Sequence, residues 1–209
     1  VFFVWAWADE TILLNRETVA QYAPRIGLAL GGGSARGLTH IGALSVFEDE
    51  GIPVTTISGT SMGAIVAGFY ALGFSTREIR DEFKSLDMQQ IFSLTQFPRR
   101  TYIGKTPLIS FFEQTPVGIF NSYPVEEFLR QRLFLRDYKY QFDFDRYPTQ
   151  LRVVATDFLS GEEVVFTRGP AYQAVCASMS LPFVFKPYEW QGKYYVDGAL
   201  VENVPVSPL

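Results

Sequence analysis

The stretch Ile57-Ser58-Gly59-Thr60-Ser61-Met62-Gly63-Ala64 constrains this chain more than any other. An apolar, β-branched run over residues 52–57 leads into it, and a small, apolar, helix-forming run over 64–72 follows. Within it Gly59-x-Ser61-x-Gly63 has the spacing of a nucleophile elbow. A serine on so sharp a strand-to-helix turn has a strained backbone and an exposed Oγ. Glycine two residues to either side removes the Cβ atoms that would collide. The helix after the turn aims its free N–H groups at any negative charge forming near the serine. The plain alternative is a Gly-Ser turn between a strand and a helix; the flanking patterns favour the elbow.

One strand earlier, Ile26-Gly27-Leu28-Ala29-Leu30 reads as a short buried strand running into Gly31-Gly32-Gly33-Ser34-Ala35-Arg36-Gly37. An amphipathic helix is expected over residues 38–50, with Ile41, Leu44, Val46 and Phe47 on its apolar side and Gly51 as terminator. The glycine loop fits two phosphate-binding patterns poorly. Leu38 stands where a P-loop needs lysine, and Arg36 stands where a dinucleotide fingerprint needs its third glycine. An oxyanion hole fits better, because successive glycines let backbone N–H groups converge on one point. Arg36 is expected to brace this loop. Strand, glycine loop, helix, strand, elbow, helix is a βαβα order, which predicts a parallel sheet covered on both faces.

Ser75-Thr76-Arg77-Glu78 has the form of a capping box opening a helix to about Leu86. Residues 87–148 are less regular and rich in aromatics, from Phe92 to Phe144, with Arg99, Arg100, Lys105, Arg130, Arg132, Arg136 and Lys139 interspersed. Most of these aromatics are expected in the core and a minority on a lipid-facing cap. A helix is expected over 125–135. Residues 151–158 and 163–167 read as strands around a Ser160-Gly161 turn, and 171–179 as a helix. A turn at 190–193 leads into Tyr194-Tyr195-Val196 and Asp197-Gly198-Ala199. No repeat or linker marks a second domain.

A serine needs a base. His40 is the only histidine, and its place early in the helix after the glycine loop suits local packing better than reach to Ser61. A carboxylate acting directly is the other option. Asp157 and Asp197 both lie at predicted strand ends, and Gly198 with the Asn203-Val204-Pro205 loop favours Asp197. For either, turn capping is the competing role. The histidine count excludes a multi-histidine metal site, and the lone Cys176 excludes an intramolecular disulfide or a cysteine-rich zinc site. A net charge of −4 gives no electrostatic reason to propose nucleic acid as a partner.

These residues resemble the patatin-like phospholipases, bacterial type, from Arg25 to Pro208. The three glycine-loop, elbow and Asp-Gly-Ala motifs stand in the family's order. Ala155-Thr156-Asp157, Ala177-Ser178-Met179-Ser180-Leu181-Pro182 and Asn203-Val204-Pro205 add to the likeness. Ala199, where many members carry glycine, and Cys176, where many bacterial members carry arginine, depart from it. The resemblance implies a three-layer α/β/α sandwich with a mainly parallel central sheet. It implies Ser61 as nucleophile and Asp197 as its partner. Gly31, Gly32, Gly33 and Ser34, with Arg36, would form the oxyanion hole, and Gly59 and Gly63 would frame the elbow. The family reaction is hydrolysis of fatty-acyl esters in phospholipids or related lipids, with no metal or cofactor. The implied partners are an acyl lipid and a membrane surface. The alternatives carried beside it are a soluble short-chain esterase or thioesterase, and a non-catalytic lipid-binding module.

The expected division is an N-terminal arm at 1–24 and a hydrolase domain at 25–209, cut at its C-terminal end. Ala6-Trp7-Ala8 has the small-x-small form of a signal-peptidase site. The arm is read either as the end of an export signal or as a short strand packed on the domain. The first reading places the protein in the bacterial periplasm, the outer membrane or the medium, ahead of the cytoplasm.

Overall fold

The computed structural model describes residues 25–84 and 122–209. The arm at 1–24, and the aromatics and cations between 85 and 121, lie outside the described residues.

The first half alternates as its periodicity demands. Strand β1 (Ile26–Leu30) enters a 3-10 helix (Ser34–Thr39) and helix α1 (His40–Asp49). Strand β2 (Val54–Thr60) passes straight into helix α2 (Met62–Ala71). Helix α3 (Thr76–Lys84) opens on the expected capping box: the Ser75 N–H donates to Glu78 Oε2 at 2.7 Å, and the Glu78 N–H donates to Ser75 Oγ at 3.2 Å. Helix α4 (Tyr123–Lys139) follows, then β3 (Gln150–Asp157), β4 (Glu163–Phe166), α5 (Ala171–Ser178), β5 (Tyr188–Trp190) and β6 (Lys193–Asp197). Helix α4 starts earlier than the apolar pattern because Pro124 suits a first turn. It runs on through Arg136 and Lys139, cations that favour a C-terminal turn.

Among the described residues the sheet has six strands. Helices cover both sides, giving the α/β/α sandwich. Strands β1, β2 and β3 are parallel; β4 and β6 run antiparallel to β3, and β5 antiparallel to β6. The Gln191-Gly192 turn between β5 and β6 has φ of 53° and 74°, the doubly positive form that matches strand twist.

One detail of register positions the site. Strand β4 pairs with Val153 to Thr156 of β3, so it occupies one edge of that strand. Strand β2 pairs with β3 up to Val154, and β6 pairs with it from Ala155 onward. Both overlap β4's partners, so both lie on the opposite edge. Strands β2 and β6 therefore arrive from opposite directions and meet end to end, with Thr60 beside Val154 and Asp197 beside Ala155. Ser61 and Asp197 sit at that junction.

Helix α2 is buried from Met62 through Phe69, which its small and apolar sequence allows. Phe69, Leu44, Ile57, Leu129, Leu133, Leu151 and Val175 are fully enclosed. Of the cap aromatics within the described residues, Phe144 is buried and Phe128 packs against Phe69 and Phe83, whereas Tyr123, Phe134 and Tyr138 are exposed. Buried Asp137 anchors α5: it accepts the Ala171 N–H at 2.7 Å and the Tyr147 hydroxyl. Pro170 cannot cap that helix with a side chain, so α4 supplies the cap. Burial pushes the Asp137 carboxyl above the usual range despite these donors.

Candidate active site

Ser61 has φ 54° and ψ −122°, a conformation costly for a non-glycine residue. The packing around the turn leaves no alternative. A Cβ on Gly63 would lie 2.0 Å from the Leu30 carbonyl oxygen, and one on Gly59 would lie 2.6 Å from the Ala64 Cα. A buried hydroxyl holds the turn. The Ser61 N–H donates to Ser178 Oγ at 2.9 Å, and Ser178 Oγ donates to the Val154 carbonyl at 2.6 Å. Ser178 thus ties the elbow to β3. Ser178→Ala leaves the Ser61 N–H without its acceptor and loosens the turn that holds Ser61. Turnover is expected to fall about 10–100-fold with the substrate KM little changed; steady-state kinetics on a short ester checks this.

Asp197 lies across the strand junction. Ser61 Oγ donates to its Oδ2 at 2.8 Å, and the Ala199 N–H donates to its Oδ1 at 2.9 Å. Its own N–H donates to the Ser180 carbonyl at 3.0 Å, and its carbonyl accepts from Thr156 Oγ1 at 3.0 Å, so the backbone is held from both sides. Gly198 permits the approach to β3, since a Cβ there would meet the Val154 oxygen at 2.2 Å. The residue is 3% exposed. Burial raises its pKa, and the donors from Ala199 and Ser61 offset only part of that rise. A raised pKa makes the carboxylate a stronger base than an ordinary aspartate.

Asp157 and His40, the other two candidates, have hydrogen-bond partners of their own. Asp157 accepts the Leu159 and Ser160 N–H groups at 2.9 and 3.0 Å, which is the turn-capping role. His40 Nε2 lies 2.8 Å from the Gly31 carbonyl oxygen. A carbonyl can only accept, so Nε2 carries the proton and donates it.

The glycine loop lies against Ser61: a Cβ on Gly32 would sit 3.1 Å from Ser61 Cβ. One amide of the expected oxyanion set is not available. The Gly32 N–H donates to the Asn203 carbonyl at 3.1 Å. The peptide joining Gly31 to Gly32 is therefore pinned at both ends, its carbonyl by His40 and its N–H by Asn203. The amides of Gly33 and Ser34 bond to no partner among the described residues, and Ser34 is held at φ 52°. The Met62 N–H, at the first position of α2, has no intrahelical acceptor and follows Ser61 directly. Arg36 is exposed and its guanidinium makes no hydrogen bond among the described residues, where the loop is held by His40 and Asn203. Gly31 directly follows β1, and its carbonyl is the His40 acceptor.

Ser178, Asn203 and the bracing role of His40 are not assigned by motif spacing. Ser178 and Asn203 do lie in short motifs of the chain, but their roles depend on contacts 117 and more residues apart in sequence. Ser58 and Thr60 belong with them: these buried strand hydroxyls donate to the carbonyls of Pro205 and Glu202, fastening residues 202–205 beside the loop.

A serine hydroxyl on a buried carboxylate, beside a loop with open amides, can perform acyl transfer. Comparison with known proteins agrees with that chemistry. A family model described as Patatin-like phospholipase matches residues 28–209. An uncharacterized NTE family protein of Mycobacterium tuberculosis is 33% identical over 187 residues, covering 90% of this chain and 46% of that protein. Lysophospholipase NTE1 of Saccharomyces cerevisiae is 30% identical, covering 88% of this chain and 10% of its own length. The chain thus spans less than half the length of these curated relatives. The crystal structure of VipD from Legionella pneumophila superimposes with a TM-score of 0.57 at 18% identity over 87% of this chain and 47% of that one, a likeness of fold.

Proposed function

Because this chain belongs to the patatin-like phospholipase family, we propose that it cleaves fatty-acyl ester bonds of phospholipids through a Ser61–Asp197 dyad and an acyl-enzyme intermediate. The observation that carries this reading is the 2.8 Å hydrogen bond from Ser61 Oγ to the buried Asp197 carboxylate. The order of events follows from it. Asp197 takes the Ser61 proton as Oγ attacks the ester carbonyl carbon. Negative charge moves to the carbonyl oxygen, toward the amides of Gly33, Ser34 and Met62. Collapse of the tetrahedral species breaks the ester C–O bond, and the proton on Asp197 passes to the departing alcohol or lysolipid. A water then yields its proton to Asp197 and attacks the acyl-serine. Fatty acid leaves and Ser61 recovers its proton. Losing one oxyanion donor in such a site costs about 10²–10³ in rate. The Lysophospholipase NTE1 relatives support a lysophospholipid or related phospholipid as substrate.

The test of substrate class is fatty-acid release from lysophosphatidylcholine and phosphatidylcholine, set beside p-nitrophenyl butyrate. A lipid hydrolase turns over the lipids in micelles with a kcat/KM well above that for the monomeric ester. Turnover confined to the short ester would instead identify a soluble esterase. The pH profile gives a second check. Asp197 must be ionised to act as base, and burial raises its pKa. Activity should therefore be lost on acidification at a pH above the ordinary aspartate value of about 3.9. An acid limb in kcat/KM at or below that value contradicts the role given to Asp197.

A further inference from the structure

Helices α1 and α3 are antiparallel neighbours that part at one end. At the closed end Glu48, near the C-terminus of α1, accepts the Thr76 N–H at 3.0 Å and its hydroxyl at 2.6 Å. At the other end Leu38, Thr39, Ile41 and Gly42 face Arg80, Phe83 and Lys84 across an open groove of about 560 Å³. That is within the size range of small-molecule sites. Its floor is apolar: Ile41 is buried, and Leu38 and Phe83 are partly buried against the core. Its rim is cationic. Arg80 and Lys84 stand four residues apart, which puts them on one face of α3 beside the groove. Arg80 has no ion pair among the described residues, and the Lys84 contact to Asp81 is loose at 3.8 Å, with both side chains mostly exposed. The groove begins at Leu38, one residue after Gly37, where a Cβ would lie 2.6 Å from the side chain of Met62, the neighbour of Ser61.

We propose that this groove binds a long-chain fatty carboxylate, its tail on Leu38, Ile41 and Phe83 and its anionic end between Arg80 and Lys84. An apolar floor with two under-compensated cations on one wall matches an amphiphile with a single negative head. The choice of a fatty acid among such amphiphiles rests on the acyl-hydrolase reading, since that reaction releases it beside the groove.

Gly42 supplies a clean variant. It lines the groove, and a Cβ there meets nothing within 4 Å. Gly42→Leu fills the space and also favours the helix, so its melting temperature should equal or exceed that of the wild type. Isothermal titration with oleate below its aggregation concentration should give one site on the wild type. Affinity should fall at least tenfold in Gly42→Leu and in the double variant Arg80→Glu/Lys84→Glu. Oleyl alcohol should bind the wild type at least tenfold more weakly than oleate. Both variants should retain wild-type turnover of p-nitrophenyl butyrate, a substrate too short to need the groove. Any of four results overturns the proposal: no oleate binding by the wild type, unchanged oleate affinity in both variants, equal binding of the alcohol, or complete loss of binding after Ser61 is blocked by a phosphonate. A lowered melting temperature in Gly42→Leu without oleate binding would give the groove to another part of the chain and also overturns it. The catalytic reading fails separately, through absence of turnover in a wild type that still binds oleate.

Discussion

Asp197→Asn is expected to lower ester turnover by about 10³–10⁵-fold while leaving the protein folded and no less stable. The asparagine keeps an acceptor for the Ala199 N–H, and its amide can donate to Ser61 Oγ, so neither partner of Asp197 is abandoned. What it loses is the base. What it gains is relief from a buried charge, since burial raises the folded-state pKa of Asp197 above its unfolded value. Below the unfolded value, near 3.9, both states hold the proton and the wild type bears no such cost. As pH rises through the folded pKa the cost appears, and it is complete above it. The stability of Asp197→Asn relative to wild type should therefore rise across that window and stay level beyond it. Thermal melts at several pH values, beside turnover at pH 8, measure both. Ser61→Ala should lose a similar share of turnover. Because the two side chains act as a unit, the double variant should be no slower than the worse single one.

Gly63→Ala is expected to leave little folded protein. A methyl group there would stand 2.0 Å from the Leu30 oxygen and 2.7 Å from that of Gly31, both backbone atoms at the end of β1. Relief requires α2 to move off the sheet, and α2 is buried along nearly its whole length. A loss of at least about 4 kcal/mol is the expected scale for such overpacking against backbone. Gly42→Ala is the matched control: the same added atom meets nothing within 4 Å, on a helix, and should stabilise by about 0.5–1 kcal/mol. Soluble yield and melting temperature of the pair separate a steric requirement for glycine at the elbow from a general intolerance of substitution.

The local parts of this architecture were legible in the chain. The glycines at 59 and 63, the serine between them, the capping box at Ser75 and the strand-helix alternation each depend on neighbours a few residues away. Boundaries shifted where distant groups intervened. The run before the elbow reads as a strand ending at Ile57, because Ser58 and Gly59 suggest a turn. The strand continues to Thr60 because β3 pairs with it as far as Val154, and the tail at 202–205 accepts the Ser58 and Thr60 hydroxyls. The choice between Asp157 and Asp197 likewise needed the sheet order. Both end strands, but only β6 abuts β2 on one edge of β3, whereas Asp157 lies two pairings beyond the junction, opposite Tyr195. The glycine loop was legible as a loop but not amide by amide. Which N–H groups stay open depends on Asn203, about 170 residues later in the chain. The antiparallel half of the sheet is carried by short strands, β4, β5 and β6, whose pairing with β3 and with one another no single periodicity encodes.

The most direct measurement is the site of covalent labelling by a long-chain alkyl fluorophosphonate, located by peptide mass after digestion. The dyad predicts a single adduct on Ser61, formed in the wild type, slowed by orders of magnitude in Asp197→Asn and absent in Ser61→Ala. An adduct on another residue, or labelling of Ser61 at the same rate with and without the Asp197 carboxylate, would contradict it.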